Sequence, residues 1–233
     1  MANPVYCALD TVDLAKAQTL AAQVRGQVGG LKIGTEFFTA HGPQGVRAAV
    51  GDQPFFLDLK FHDIPNTVAG AIRAACTLKP RYVNVHCGGG SNMMKVAAET
   101  ARTAGGSGRP LVLGVTVLTS LDAADLREIG FQEDPAALVL KFAKMAQASG
   151  LDGVVCSSHE IARLRQACGP DFHLVVPGLR PAGSDLADQK RVMTPREALE
   201  LGANVLVIGR PITAASNPAT AAAAIAADLR LAA

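Results

Sequence analysis

Tryptophan is absent from the 233 residues, and aromatic side chains make up only 4% of them. So few rings offer little on which nucleic-acid bases could stack. An excess of one charge is missing too: 22 basic residues face 20 acidic ones, and no basic run stands out. Both absences speak against a nucleic-acid surface. The five cysteines (Cys7, Cys76, Cys87, Cys156 and Cys168) are odd in number and lack CxxC spacing, so neither a disulfide framework nor a zinc ribbon is expected. Three of them lie in apolar strand-like runs, where a free thiol behaves as a small hydrophobe. This points to a reducing cytoplasm. No apolar run approaches bilayer length, and no basic segment followed by an apolar one marks a signal peptide. The expectation is a cytoplasmic protein that does not engage a membrane. His41, His62, His86, His159 and His173 show no metal-ligand spacing, and no HExxH or GxSxG occurs. No metal site is expected.

Apolar strand-like segments are what the chain has in plenty, with 49% of its residues hydrophobic. They begin near Val5, Leu31, Phe55, Tyr82, Leu111, Gly153, His173 and Val205, the fifth running from Leu111 to Leu118. Between most of them lie helical patterns: Leu14 to Val24 capped by Asp13, Phe37 to Val50 broken at Gly42-Pro43, a helix capped by Asn66, and one from Asn92 to about Thr103. A polar segment runs from Ser120 to Asp134 before the next helix. Another helix follows around Ile161 and Leu164, then short ones from Pro195 and from Pro218. Near-continuous apolar strands imply a parallel sheet with its outer face covered. Eight strand-then-helix units without a composition break predict a single (β/α)8 TIM barrel domain over residues 1–233. A doubly wound open sheet is the alternative, but Asp10-Thr11-Val12-Asp13 is not the glycine-rich turn its first strand would carry.

One strand breaks the apolar rule. Phe55-Phe56-Leu57-Asp58-Leu59-Lys60-Phe61 carries two opposite charges at i and i+2, on one face, and Asp63 follows. A solvated edge strand would explain an incidental ion pair, but its neighbours are too apolar for an edge. Charges buried in such a run need partners and tend to be functional. In a barrel the active site lies at the C-terminal strand ends. Those ends read Asp10, Lys32, Asp58 and Lys60, His86, Thr119, Ser157, Pro177 and Arg180, then Gly209 and Arg210. Asp10, Lys32, Asp58 and Lys60 are expected to form an alternating network. Pro177 to Arg180 and Gly209-Arg210 close strands seven and eight, where barrels frequently hold phosphate. The long stretch from Arg180 to Met193, with Gln189 in it, has the length of a lid.

Asp58-Leu59-Lys60-Phe61-His62-Asp63-Ile64-Pro65-Asn66-Thr67 resembles the signature of the orotidine 5′-phosphate decarboxylase family. The likeness extends through Val5 to Asp10, Leu31 to Gly34, Val83 to His86, Val115 to Ser120, Leu151 to Ser157, Val176 to Arg180 and Val207 to Arg210, and is nearest to the bacterial stand-alone form. The resemblance implies decarboxylation of orotidine 5′-monophosphate without metal or organic cofactor. It implies that Asp58 faces the departing carboxylate, that Lys60 protonates C6, and that Asp10 and Lys32 contact the ribose. It implies that Thr119 lies by the pyrimidine and that Arg180, Gln189, Gly209 and Arg210 meet the phosphate end. Asp63, Ile64 and Thr67 would reach the partner's site in a homodimer. A Mg²⁺-dependent sugar-phosphate decarboxylase or aldolase, using Glu36 with Asp58 or Asp63, is the nearest rival. A non-catalytic barrel that binds a phosphorylated ligand is another.

Overall fold

Eight short strands frame the molecule in the computed structural model, which describes residues 3–181 and 193–230. They are β1 (Val5–Ala8), β2 (Gly30–Gly34), β3 (Phe55–Phe61), β4 (Tyr82–His86), β5 (Leu111–Val115), β6 (Gly153–Val155), β7 (His173–Pro177) and β8 (Val205–Ile208). All neighbours pair in parallel and in sequence order, and β8 returns to β1 through Val5 opposite Leu206 and Tyr6 opposite Val207. The sheet is a closed barrel, as the eight units predict. The helices are α1 (Leu14–Val24), α2 (Thr35–Val50), α3 (Pro65–Cys76), α4 (Gly90–Gly105), α5 (Ala123–Glu128), α6 (Pro135–Ala148), α7 (Ile161–Cys168), α8 (Pro195–Glu200), α9 (Arg210–Thr213) and α10 (Pro218–Arg230).

Side-chain alternation divides the core in two. Phe56, Tyr82, Leu113, Val175, Val205 and Val207 point into the barrel with Tyr6 and Ala8. There the Tyr82 ring takes Tyr6 and Phe56 edge-on, with centroids 5.6 and 6.2 Å away. Leu31, Ile33, Leu57, Val83, Val85, Leu174 and Val176 point outward against Phe37, Met93, Met94, Leu138 and Ile161 of the helices. That second layer is what each helix buries its apolar stripe against.

Local chemistry sets the boundaries, with three departures from the sequence reading. Asp13 caps α1 by accepting from the Lys16 N–H, and α2 is kinked at Gly42 (φ 58°), just before Pro43, as expected. The cap of α3, however, is Ile64 rather than Asn66. Pro65 takes the first helical position, where its missing N–H costs nothing. Strand β5 ends at Val115 instead of Leu118, because its partner β6 stops at Val155, whose carbonyl takes both the N–H and the hydroxyl of Thr116. The polar segment before Asp134 contains α5, closed at its start by a reciprocal box between Asp122 and Asp125.

Candidate active site

Strands β3 and β4 fall out of step. Leu57 lies opposite Val83 and Phe61 opposite Val85, so four steps of β3 span two of β4. Such a bulge bends the chain and re-aims its side chains. Lys60 absorbs the bend with φ +51°, a left-handed conformation that costs an L-residue on the order of 1–2 kcal/mol. What offsets that cost is local. The Lys60 N–H has lost its ladder partner and donates instead to Asn84 Oδ1 at 2.7 Å.

Around the bulge the four expected charges form one chain. Lys60 Nζ donates to Asp58 Oδ1 at 2.7 Å. Lys32 Nζ lies 3.8 Å from Asp58 Oδ2 and donates to Asp10 Oδ1 at 2.8 Å. The Lys32 and Asp58 side chains are only 11% and 14% exposed, so these pairs act in a medium less polar than water. A Cβ on Gly34 would come 3.2 Å from Lys32 Nζ, and glycine there leaves the ammonium its place. The alternation of sign means that no charge in the row is left uncompensated.

Above this row opens a cleft of about 380 Å³ at the C-terminal ends of the strands. Asp10, Lys32, Asp58, Lys60, Thr119, Pro177, Arg180, Gly209 and Arg210 all line it, with Val115, Val155 and Val207 as apolar wall. Nine of the sequence-predicted residues are thus brought to one cavity. Asp63, Ile64 and Thr67 do not line it: all three are exposed, Ile64 by 67%, and Asp63 Oδ1 accepts from the Ile64 N–H. Gln189 lies outside the described residues, as does most of the loop between Arg180 and Met193. At the ends of that loop the Arg180 N–H donates to the Met193 carbonyl at 3.2 Å. Glu36 sits exposed in the first turn of α2. Among the described residues, no three His, Cys, Asp or Glu side chains converge as a metal would need.

Two features escaped the sequence reading. Asn84 is wholly buried on β4 and its Nδ2 donates to Asp58 Oδ1 at 2.7 Å. The signal for it was an amide inside an otherwise apolar strand. His62 and His86 stack where β3 and β4 end, with ring centroids 5.1 Å apart and planes 15° from parallel. Burial holds the His86 imidazole below its ordinary pKa, helped by the positive character of His62 and Lys60.

A family model described as "Orotidine 5'-phosphate decarboxylase / HUMPS family" matches residues 3–225. Curated relatives named orotidine 5'-phosphate decarboxylase include that of Paramagnetospirillum magneticum, 50% identical over 99% of this chain and 100% of its own. Another, from Halorhodospira halophila, is 53% identical over 95% of this chain and 94% of its own. The crystal structure of orotidine 5'-phosphate decarboxylase from Lactobacillus acidophilus superposes with a TM-score of 0.87 at 37% identity, over 97% of this chain and 99% of that one.

Proposed function

The chain belongs to the orotidine 5′-phosphate decarboxylase / HUMPS family, and from that premise we propose that it converts orotidine 5′-monophosphate to uridine 5′-monophosphate and CO2, using no cofactor. One observation carries the reading: the row Asp10–Lys32–Asp58–Lys60 lies at the floor of a cleft whose rim bears Arg180 and Arg210.

Loss of CO2 from C6 of the pyrimidine leaves an electron pair in the plane of the ring, where no neighbouring π system can spread it. The site must supply the stabilisation by electrostatics already in place. Lys60 meets that need, since Asp58 orients its ammonium before the carbanion exists. The same ammonium then donates its proton to C6. Asp58 faces the departing carboxylate. Lys32 and Asp10 take the ribose hydroxyls, and Thr119 lies by the pyrimidine. Pro177, Arg180, Gly209, Arg210 and Gln189 form the phosphate end. Binding energy from a phosphate remote from C6 is available to lower the barrier at the ring.

Asp63, Ile64 and Thr67 complete the site of a second copy in a homodimer. Their exposure beside the cleft, and a 67% exposed isoleucine among them, support that placement. The setting is the cytoplasm and pyrimidine biosynthesis, and the chain acts as one barrel domain over 1–233. No helix among the described residues is long and apolar enough to cross a membrane.

The decisive experiment follows orotate ultraviolet absorbance when the purified protein meets orotidine 5′-monophosphate in excess EDTA. Loss of absorbance with uridine 5′-monophosphate as product is the expected result. No loss under EDTA, with activity on a sugar phosphate restored by Mg²⁺, would overturn the reading.

A further inference from the structure

We infer that Asn84 is a positioning residue of this site: its single amide holds the Asp58 carboxylate and the Lys60 backbone together, so that the ammonium of Lys60 points where the proton must go. The inference rests on the reading of Lys60 as proton donor given above and extends it to a residue that touches neither substrate nor reacting atom.

Three observations converge on it. The register slip leaves Asn84 as the one β4 residue between the pairs formed by Val83 and Val85, facing the extra residues of β3. Its side chain fills that gap and is wholly buried. It makes two hydrogen bonds of opposite sense: Oδ1 accepts from the Lys60 N–H and Nδ2 donates to Asp58 Oδ1, each at 2.7 Å.

The chemistry restricts the residue type. A backbone N–H only donates and a carboxylate only accepts, so the group between them must offer one acceptor and one donor. The same requirement fixes which way the amide points, since the flipped amide would set donor against donor and acceptor against acceptor. Asp would present a second carboxylate to Asp58, and Leu would leave the Lys60 N–H unpaired and take one of the two donors from Asp58 Oδ1. Asn84 therefore stabilises the left-handed turn at Lys60 and, through the same group, the anion that orients its ammonium.

The test uses two variants of the full chain, each checked for a cooperative thermal transition. Asn84→Leu keeps the number and branching of the side-chain heavy atoms and removes both bonds. Asn84→Asp keeps the acceptor for the Lys60 N–H and destroys the donor. A misplacement of about 1 Å at reacting groups costs on the order of 10²-fold. We expect kcat of Asn84→Leu on orotidine 5′-monophosphate to fall by about that factor, with KM and affinity for uridine 5′-monophosphate within about threefold. In crystals of Asn84→Leu, Lys60 should leave positive φ and its Nζ should leave Asp58. Asn84→Asp should keep the left-handed Lys60 while also losing kcat, and it stands in if Asn84→Leu does not fold. Two results would overturn the inference: kcat unchanged in both variants while the parent turns over, or an unmoved Lys60 in Asn84→Leu. If the parent itself shows no turnover, the functional reading fails. The crystal structures then still decide whether Asn84 sets the Lys60 backbone.

Discussion

Lys60 answers to two constraints at once, a backbone bent by a bulge and a side chain drawn to Asp58. On the reading proposed here, Lys60→Ala removes the proton donor to C6. Turnover should fall below detection while titration calorimetry still finds binding of uridine 5′-monophosphate; full activity would remove Lys60 from the mechanism. Arg210 is exposed at the cleft rim, and Arg210→Ala should reduce kcat/KM for the phosphorylated substrate by at least ~10-fold more than for the nucleoside. Steady-state kinetics on both substrates gives the ratio. Two half-buried histidines make a different prediction. His86 is held below its ordinary value chiefly by burial, and so is His173, with Arg81 adding to the effect there. An unfolded chain takes up protons on these rings near pH 6.5, whereas the folded one resists until lower pH. Stability is therefore full above about 6.5 and is lost as pH falls toward the folded values. The thermal midpoint should drop between about pH 7.5 and 5.5, and His86→Gln should shrink that drop. At this scale the sequence exposed the charges readily, because Asp58 and Lys60 interrupt an apolar run. It hid Asn84, because a lone amide in a strand looks like any satisfied core group until the pairing of two strands reveals what it faces.

Caps and strand ends decide where the elements stop, and here local chemistry was read with uneven success. Asp13 was legible because it precedes a clear helical stripe. The helix α5 was not, since only Leu126 of its six residues is buried and a one-and-a-half-turn segment leaves no periodicity to follow. Strand β5 was read three residues too long because Val117 and Leu118 continue its apolar run, while its partner β6 offers nothing to pair with beyond Val155. Helix α6 offers the cleanest energetic test. Asp134 accepts from the N–H groups of Ala136 and Ala137 at 3.0 and 3.2 Å, ahead of Pro135 at the first helical position. Asp134→Ala should cost about 1 kcal/mol in urea denaturation, the usual worth of such a cap, with activity retained. A change within about 0.3 kcal/mol would mean that the buried face of Leu138, Phe142 and Ala146 alone defines the helix.

At the scale of the whole molecule, the barrel was legible because eight apolar strands alternate with helices, but a second copy of the chain leaves no pattern in one sequence. A complementation experiment reaches it. Lys60→Ala and Asp63→Ala are each expected to be nearly inactive. If Asp63 serves the partner's site, a mixed dimer holds one site with both native residues, and mixing equal amounts with subunit exchange should restore about a quarter of parental activity. If Asp63 serves its own site, every site in the mixture stays defective and activity does not recover. The closure of β8 onto β1 carries a consequence for biosynthesis. Val5 leaves the ribosome some two hundred residues ahead of its partner Leu206. Throughout that interval the nascent sheet has two open edges, each able to template pairing with another chain. Such a chain becomes safe from its own edges only once β8 has been made, so ribosome stalling before Val205 would be costlier than stalling just after Ile208.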